Sequence, residues 1–240
     1  LQRMAEERLA AAIKEHRAVG GSIIIMDPAT GEILALATSP GLQFSTLDLG
    51  DQNVLELLRN RAVTDLYEPG SVMKIITAAS AIDAGAVAPG TTYTDTGIAL
   101  IYDVPIKNWD DNVYGEQTMT GVLQNSINTG AIFMMQALEA REPGGFQRYL
   151  DAFGFGKPTG IDLQGEASGI IRRTTDADYS PVDLATQAFG QSISVTPIQM
   201  LTAVAAAING GNVMRPHLVK AYISQDGNRR DVRPEVVGRA

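Results

Sequence analysis

The chain has 240 residues, 45% of them hydrophobic, no cysteine, and a formal charge of −8 with a pI near 4.8. That length can bury one large core, and the lack of cysteine excludes disulfides, thiolate nucleophiles and zinc-thiolate sites. The acidic balance argues against a nucleic-acid partner, and only His16 and His217 are available, which argues against a Ser-His-Asp triad.

Residues 1–17 are predicted as an amphipathic helix; charges interrupt it and no cleavage site follows, so it does not read as a signal peptide. No apolar run approaches the roughly 18 residues of a membrane span. "GGSIIIMDPATGEILALATSP" predicts two β-runs, 22–26 and 32–38, around a turn built on Asp27, Pro28 and Gly31. Residues 39–63 read as loop and then brief helix. A helix is predicted from Ser71 to Ala84, mostly buried through Val72, Ile75, Ile76, Ala79 and Ile82, with Gly85 as its stop.

Residues 86–118 are turn-rich with strand-like pieces such as "IALIYDVPI". "TMTGVLQNSINTGAIFMMQALEA" then gives two helical segments, with Thr118 or Thr120 capping the first and "NTG" at the junction. "FQRYLDAFGFG" predicts a further short helix. In "TPIQMLTAVAAAINGG" Thr196 is the expected N-cap, Pro197 the first helical residue, and Gly210 lies past the end. "HLVKAYISQDGNRRDVRPEVV" predicts two strands around "QDGN". Strand pair, helices, strand pair indicates an α/β or α+β fold without the alternation of a doubly wound sheet.

The chemistry concentrates in "YEPGSVMKIITAASAIDAG", where Ser71 and Lys74 stand one helical turn apart. A serine hydroxyl needs a positioned base. Lysine can be that base if burial and the helix N-terminal field pull its pKa down from about 10.4. The same helix start would offer the Ser71 backbone N–H as an oxyanion donor. The competing reading is a serine N-cap with a lysine snorkelling from a core helix. With 11 serines and 5 lysines, a Ser-x-x-Lys arises by chance in roughly one such chain in four. "QNSINTG" supplies a second element, Ser126-x-Asn128: a hydroxyl able to relay a proton and an amide able to hold a substrate carbonyl or amide.

Together with "NRAVTDLYEPGSVMKIITAASAIDAG", "LQNSINTGAIFMM", "FGFGKPTGIDLQGEASGII" and "AFGQSISVTPIQMLTAVAAAINGGNVMRPHLV", these motifs resemble, in order along nearly the whole chain, the transpeptidase domain of class B penicillin-binding proteins of the division and elongation type. The resemblance implies one partial transpeptidase domain over residues 1–240. It implies a penicillin-binding protein/serine β-lactamase-like fold, an antiparallel sheet flanked by helices with a helical subdomain.

It further implies that Ser71 attacks the penultimate D-alanine carbonyl of a peptidoglycan stem peptide with Lys74 as base. Ser126 would relay protons to and from the leaving amine, and Asn128 would hydrogen-bond the acyl chain. An amine from a neighbouring stem peptide then resolves the acyl-enzyme, and β-lactams acylate Ser71 as substrate mimics. The implied setting is the outer face of the cytoplasmic membrane, with an N-terminal anchor outside this chain and cell-wall synthesis proteins as partners. No cofactor and no metal are expected. The rival readings are a serine β-lactamase or D,D-carboxypeptidase, and a non-catalytic β-lactam sensor or scaffold.

The family's third element, Lys-Thr/Ser-Gly, does not occur in these 240 residues; the nearest decoy, "KPTG" at 157–160, carries an intervening proline. By family spacing the motif is expected beyond Ala240, which leaves the sheet incomplete and this fragment open to being inactive. Glu166 is read as structural, not as a deacylating base. Trp109, Asp110 and Asp111 read as a solvated loop with one anchoring aromatic, Asp176 and Asp178 as a turn with a helix cap, and the eight methionines as core filler.

Overall fold

The computed structural model describes residues 1–41 and 59–240. Its helices are α1 (Gln2–His16), α2 (Arg61–Thr64), α3 (Lys74–Asp83), α4 (Met119–Gln124), α5 (Asn128–Arg141), α6 (Gly145–Ala152), α7 (Pro181–Gln187) and α8 (Pro197–Ile208). A 3₁₀ turn, Gly70–Met73, leads into α3. Every strand ladder among the described residues is an antiparallel pair. The helix anticipated in 39–63 falls partly on residues outside the described set; within that set, α2 begins at Arg61 with Asn60 as its N-cap. The described residues form two compact units, the first of Leu1–Leu66, Lys157–Ser168 and Thr196–Arg239, the second of Tyr67–Gly156 and Gly169–Val195 with Ala240.

In the first unit the expected hairpin forms from Gly21–Met26 and Ile33–Ser39, paired from Gly21↔Ser39 to Met26↔Ile33. Strand side chains alternate between faces, so Ala35 and Ala37 point together and meet Ala5 and Leu9 of α1. A second cluster joins Ala62 and Val63 of α2, Ile161, and Ile198 of α8, with Ile24, Ile33 and Leu36 packed against it. The start of α8 is the expected one: Thr196 Oγ1 accepts from the Gln199 N–H at 3.2 Å, and Gln199 Oε1 accepts from the Thr196 N–H at 2.9 Å. "QDGN" turns the strand pair Ala221–Ile223 and Arg229–Asp231, and Val236–Arg239 pairs with Asn212–Met214.

The second unit is built on α3 packed against α5. α5 buries Ala131, Ile132, Met134, Met135 and Leu138, and Phe146, Leu150 and Phe155 are also buried. Strand Thr92–Asp95 pairs with Gly115–Thr118, and "IALIYDVPI" folds as the hairpin Ile98–Ile101 and Val104–Lys107. Tyr93 stacks on Phe133 of α5 with ring centroids 5.2 Å apart.

The buried face of α3 corrects the sequence reading. Val72, Ile75 and Ile82 are exposed, and the buried residues are Met73, Lys74, Ile76, Thr77, Ala78, Ser80 and Ala81. Two causes displace the stripe. Residues 70–73 wind at about three per turn, which shifts the phase of a 3.6-residue pattern counted from Val72. Thr77 and Ser80 carry hydroxyls that backbone carbonyls satisfy, at Ala188 (2.7 Å) and Ile76 (2.8 Å) respectively, so these polar residues sit inside at little cost. Most methionines are core, as expected, although Met4 is exposed.

Candidate active site

Three ties fix the approach to Ser71, and all run to residues 190–195. Tyr67 and Val195 form an antiparallel bridge, Glu68 Oε1 accepts from the Ser192 N–H at 2.9 Å, and the Gly70 N–H donates to Gly190 O at 3.0 Å. Gly190 has φ +81, and a Cβ there would lie 2.2 Å from Gly70 O, so any side chain forces the two strands of backbone apart. Ser71 follows in the 3₁₀ turn, exposed, among first-turn N–H groups that lack intrahelical partners. Its hydroxyl makes no hydrogen bond among the described residues, so the contact with Lys74 that the spacing allows is not formed here. Catalytic hydrogen bonds are commonly loose before substrate binds.

Lys74 opens α3 and is 1% exposed, among the largest fully buried side chains. Its Nζ donates to Ser126 O at 2.6 Å, Asn128 Oδ1 at 2.8 Å and Ser126 Oγ at 3.1 Å. Burial lowers its pKa to about 8. Of its apolar neighbours in sequence, Ile76 is buried while Val72 and Ile75 are exposed. The amine therefore sits where losing a proton is easy, with Ser126 and Asn128 as its hydrogen-bond acceptors.

Ser126 owes its position to the end of α4. The Ile127 N–H donates to Val122 O at 3.0 Å and the Ser126 N–H to Leu123 O at 3.3 Å, the paired bonds of a Schellman cap. Ser126 occupies the left-handed position, φ 55, that glycine ordinarily takes. A serine there costs about 1–2 kcal/mol, so the hydroxyl is held at this point against backbone preference. Asn128 begins α5, and its Nδ2 donates to Lys107 O at 3.0 Å, leaving Oδ1 to Lys74. Gly130 completes "NTG", where a Cβ would stand 2.4 Å from a Val122 methyl; the close approach of α4 and α5 requires its absence.

Sequence reading missed a buried polar cluster next to these residues. Asp95 (1% exposed) accepts four hydrogen bonds: from Thr129 Oγ1 (2.6 Å), Tyr114 N–H (2.8 Å), Gly97 N–H (2.9 Å) and Asn108 Nδ2 (2.9 Å). Burial pushes its carboxyl up, but these bonds together outweigh that and hold it below the ordinary aspartate value. Asn108, also buried, uses its Oδ1 to accept from the N–H groups of Asn128 (3.1 Å) and Thr129 (3.3 Å). Trp109 beside it is 70% exposed, so the anchor of that loop is Asn108 and not the aromatic.

Other singled-out residues take structural roles. Glu166 Oε1 accepts from the Thr159 N–H at 2.7 Å and Oε2 from the Gly160 N–H at 2.9 Å, so it clamps the "KPTG" loop. Asp176 accepts from the Arg173 N–H at 2.8 Å, closing a turn, and Asp178 pairs with Arg172.

The description "Penicillin binding protein transpeptidase domain" fits residues 21–239 of this chain. The chain belongs to the penicillin-binding protein transpeptidase family. It is 37% identical over 224 residues to stage V sporulation protein D of Bacillus subtilis, covering 93% of this chain and 34% of that protein. It is 34% identical over 216 residues to the peptidoglycan D,D-transpeptidase FtsI of Escherichia coli K12, covering 90% and 35%. Penicillin-binding protein 3 of Mycobacterium tuberculosis, solved in complex with aztreonam, superposes with a TM-score of 0.87 and 30% identity over 99% of this chain and 52% of its own. The chain thus spans about a third of these two curated relatives. The fold is that of penicillin-binding protein transpeptidase domains, α/β with antiparallel strands, as the motifs imply.

Proposed function

We propose that these residues carry the acylating machinery of a peptidoglycan D,D-transpeptidase, one domain running over residues 1–240. Neutral Lys74 takes the Ser71 proton as the oxygen bonds to the penultimate D-alanine carbonyl of a stem peptide. The C–N bond to the terminal D-alanine then breaks, with Ser126 passing a proton to the leaving amine. Asn128 holds the acyl chain. A neighbouring stem-peptide amine, giving up its proton through the same relay, displaces Ser71 and forms the cross-link. β-Lactams acylate Ser71 as substrate mimics. The setting is the outer face of the cytoplasmic membrane, alongside other cell-wall synthesis proteins; no helix among the described residues is long and apolar enough to cross a bilayer.

The observation that carries this reading is the 1%-exposed Lys74 amine, bonded to both Ser126 and Asn128 one turn from an exposed serine. Intact-mass analysis with a penicillin tests it, on this chain and on a version extended at its C-terminus. The expected result is one adduct on Ser71 that survives for hours and is absent in Ser71→Ala. An adduct lost within seconds makes the protein a β-lactamase or carboxypeptidase, and labelling that persists in Ser71→Ala removes the nucleophile. Partner binding unchanged by Ser71→Ala, without turnover, would favour the sensor or scaffold reading.

A further inference from the structure

We propose that Asn108, locked in one orientation by Asp95, is a positioning residue that sets the Ser126–Asn128 segment for proton transfer. The inference rests on the acyl-transfer reading above. A carboxamide has two chemically different ends, and here every neighbour agrees on which faces where. Asn108 Nδ2 lies 2.9 Å from Asp95 Oδ2 and 3.0 Å from Asn112 O, both acceptors. Its Oδ1 accepts from two donors, the N–H groups of Asn128 and Thr129, while the single Thr129 hydroxyl proton goes to Asp95. Asp95 has its acceptor sites filled by hydrogen-bond donors on both oxygens.

The consequence reaches the site through α5. This helix has no side-chain cap of its own, because its N-cap residue is Ile127. Asn108 supplies that cap from 20 residues upstream, and Thr129 binds Asp95 directly. The two N–H groups it holds flank the Asn128 side chain, whose Oδ1 takes the Lys74 amine; Ser126, two residues before, sits in a backbone conformation it resists. Release of the α5 start therefore moves Asn128 Oδ1, one of the three acceptors around Lys74, and frees Ser126, which carries the other two, to relax.

The test compares Asn108→Ala, Asn108→Asp and the reciprocal pair Asp95→Asn/Asn108→Asp in the longest polypeptide that carries this chain. The readouts are the rate of Ser71 acylation by a fluorescent penicillin and amide exchange at Asn128 and Thr129, at a temperature where circular dichroism shows each variant folded. Asn108→Ala is expected to slow acylation about 10- to 100-fold and to speed exchange at both amides. Asn108→Asp sets two carboxylates against each other and slows acylation similarly. The reciprocal pair restores a donor facing an acceptor between the two side chains and recovers part of the rate, with the Tyr114 N–H unpaired and Asn112 O facing a carboxylate oxygen. In a Ser126→Ala/Asn128→Ala background, Asn108→Ala should cost less than about threefold more, because its effect runs through those residues. Acylation of Asn108→Ala within twofold of the unsubstituted protein, no recovery in the reciprocal pair, or a fully additive loss in that background overturns the inference. No labelling of the unsubstituted protein instead contradicts the acyl-transfer reading. The exchange measurement then still reports whether Asn108 holds the helix.

Discussion

The starts of α8 and α5 solve the same physical problem in opposite ways. Each leaves first-turn N–H groups without intrahelical partners. α8 answers within three residues, through the reciprocal Thr196 and Gln199 bonds. α5 answers from a distance, through a buried asparagine that a buried aspartate orients. The Thr196 half of that cap serves α8 alone and can be exchanged with little effect elsewhere, whereas Gln199 also donates through Nε2 to Lys157 O and Ser168 O, each at 2.7 Å. A remote cap also fixes a helix relative to another segment, and here the residues so fixed surround a buried lysine. The difference teaches where this protein accepts the cost of burying polar groups: around the Lys74 amine, the base in the proposed acylation.

The strongest way to break the contrast is at the centre of the remote network. Ser71→Ala should abolish covalent labelling by a penicillin altogether. Lys74→Ala should lower the acylation rate about 100- to 10,000-fold, the range for loss of a general base, as stopped-flow labelling would show.

Lys74 also ties stability to pH. Its folded pKa is about 8, against an ordinary value of 10.5, so between those values the unfolded chain binds more protons. Stability should therefore rise with pH across that window, by about 3–4 kcal/mol at most, and denaturant titration of Lys74→Met should lack the rise. A Lys74→Met protein that gains as much as the unsubstituted one would show that the lysine is not buried as described.

Smaller effects sharpen the comparison. Gly190→Ala drives a methyl into Gly70 O and should destabilise by about 1–3 kcal/mol while slowing acylation, since Ser71 follows Gly70 directly. Ser126→Gly should be about 1 kcal/mol more stable than Ser126→Ala in thermal unfolding, the reverse of the usual order, because the position is left-handed. Thr196→Ala should cost about 1 kcal/mol with acylation unchanged; a matching loss of acylation would erase the distinction between the two caps.

What the sequence made legible follows the same division. The hairpin around Asp27–Gly31, the helix break at "NTG" and the start of α8 are all written within a few residues, where turn and cap chemistry acts. The motifs that carry Ser71, Lys74, Ser126 and Asn128 stand out because they are short, and the structure places Lys74 against the last two through bonds spanning 52 and 54 residues. The Asp95 and Asn108 pair was not readable. Each looks like an ordinary turn residue, and its role appears only when the chain brings Thr129, 34 residues from Asp95, against it. The buried face of α3 was misread for a related reason: hydroxyls that bond to carbonyls count as polar in a pattern but as interior in a fold.

The central claim is that a buried, easily deprotonated Lys74 activates Ser71. The pH dependence of Ser71 acylation tests it most directly: the rate should climb with a midpoint near 8, and Lys74→Ala should lose that limb. A rate that is flat from pH 6 to 9, or that climbs only near the ordinary lysine value, would contradict it.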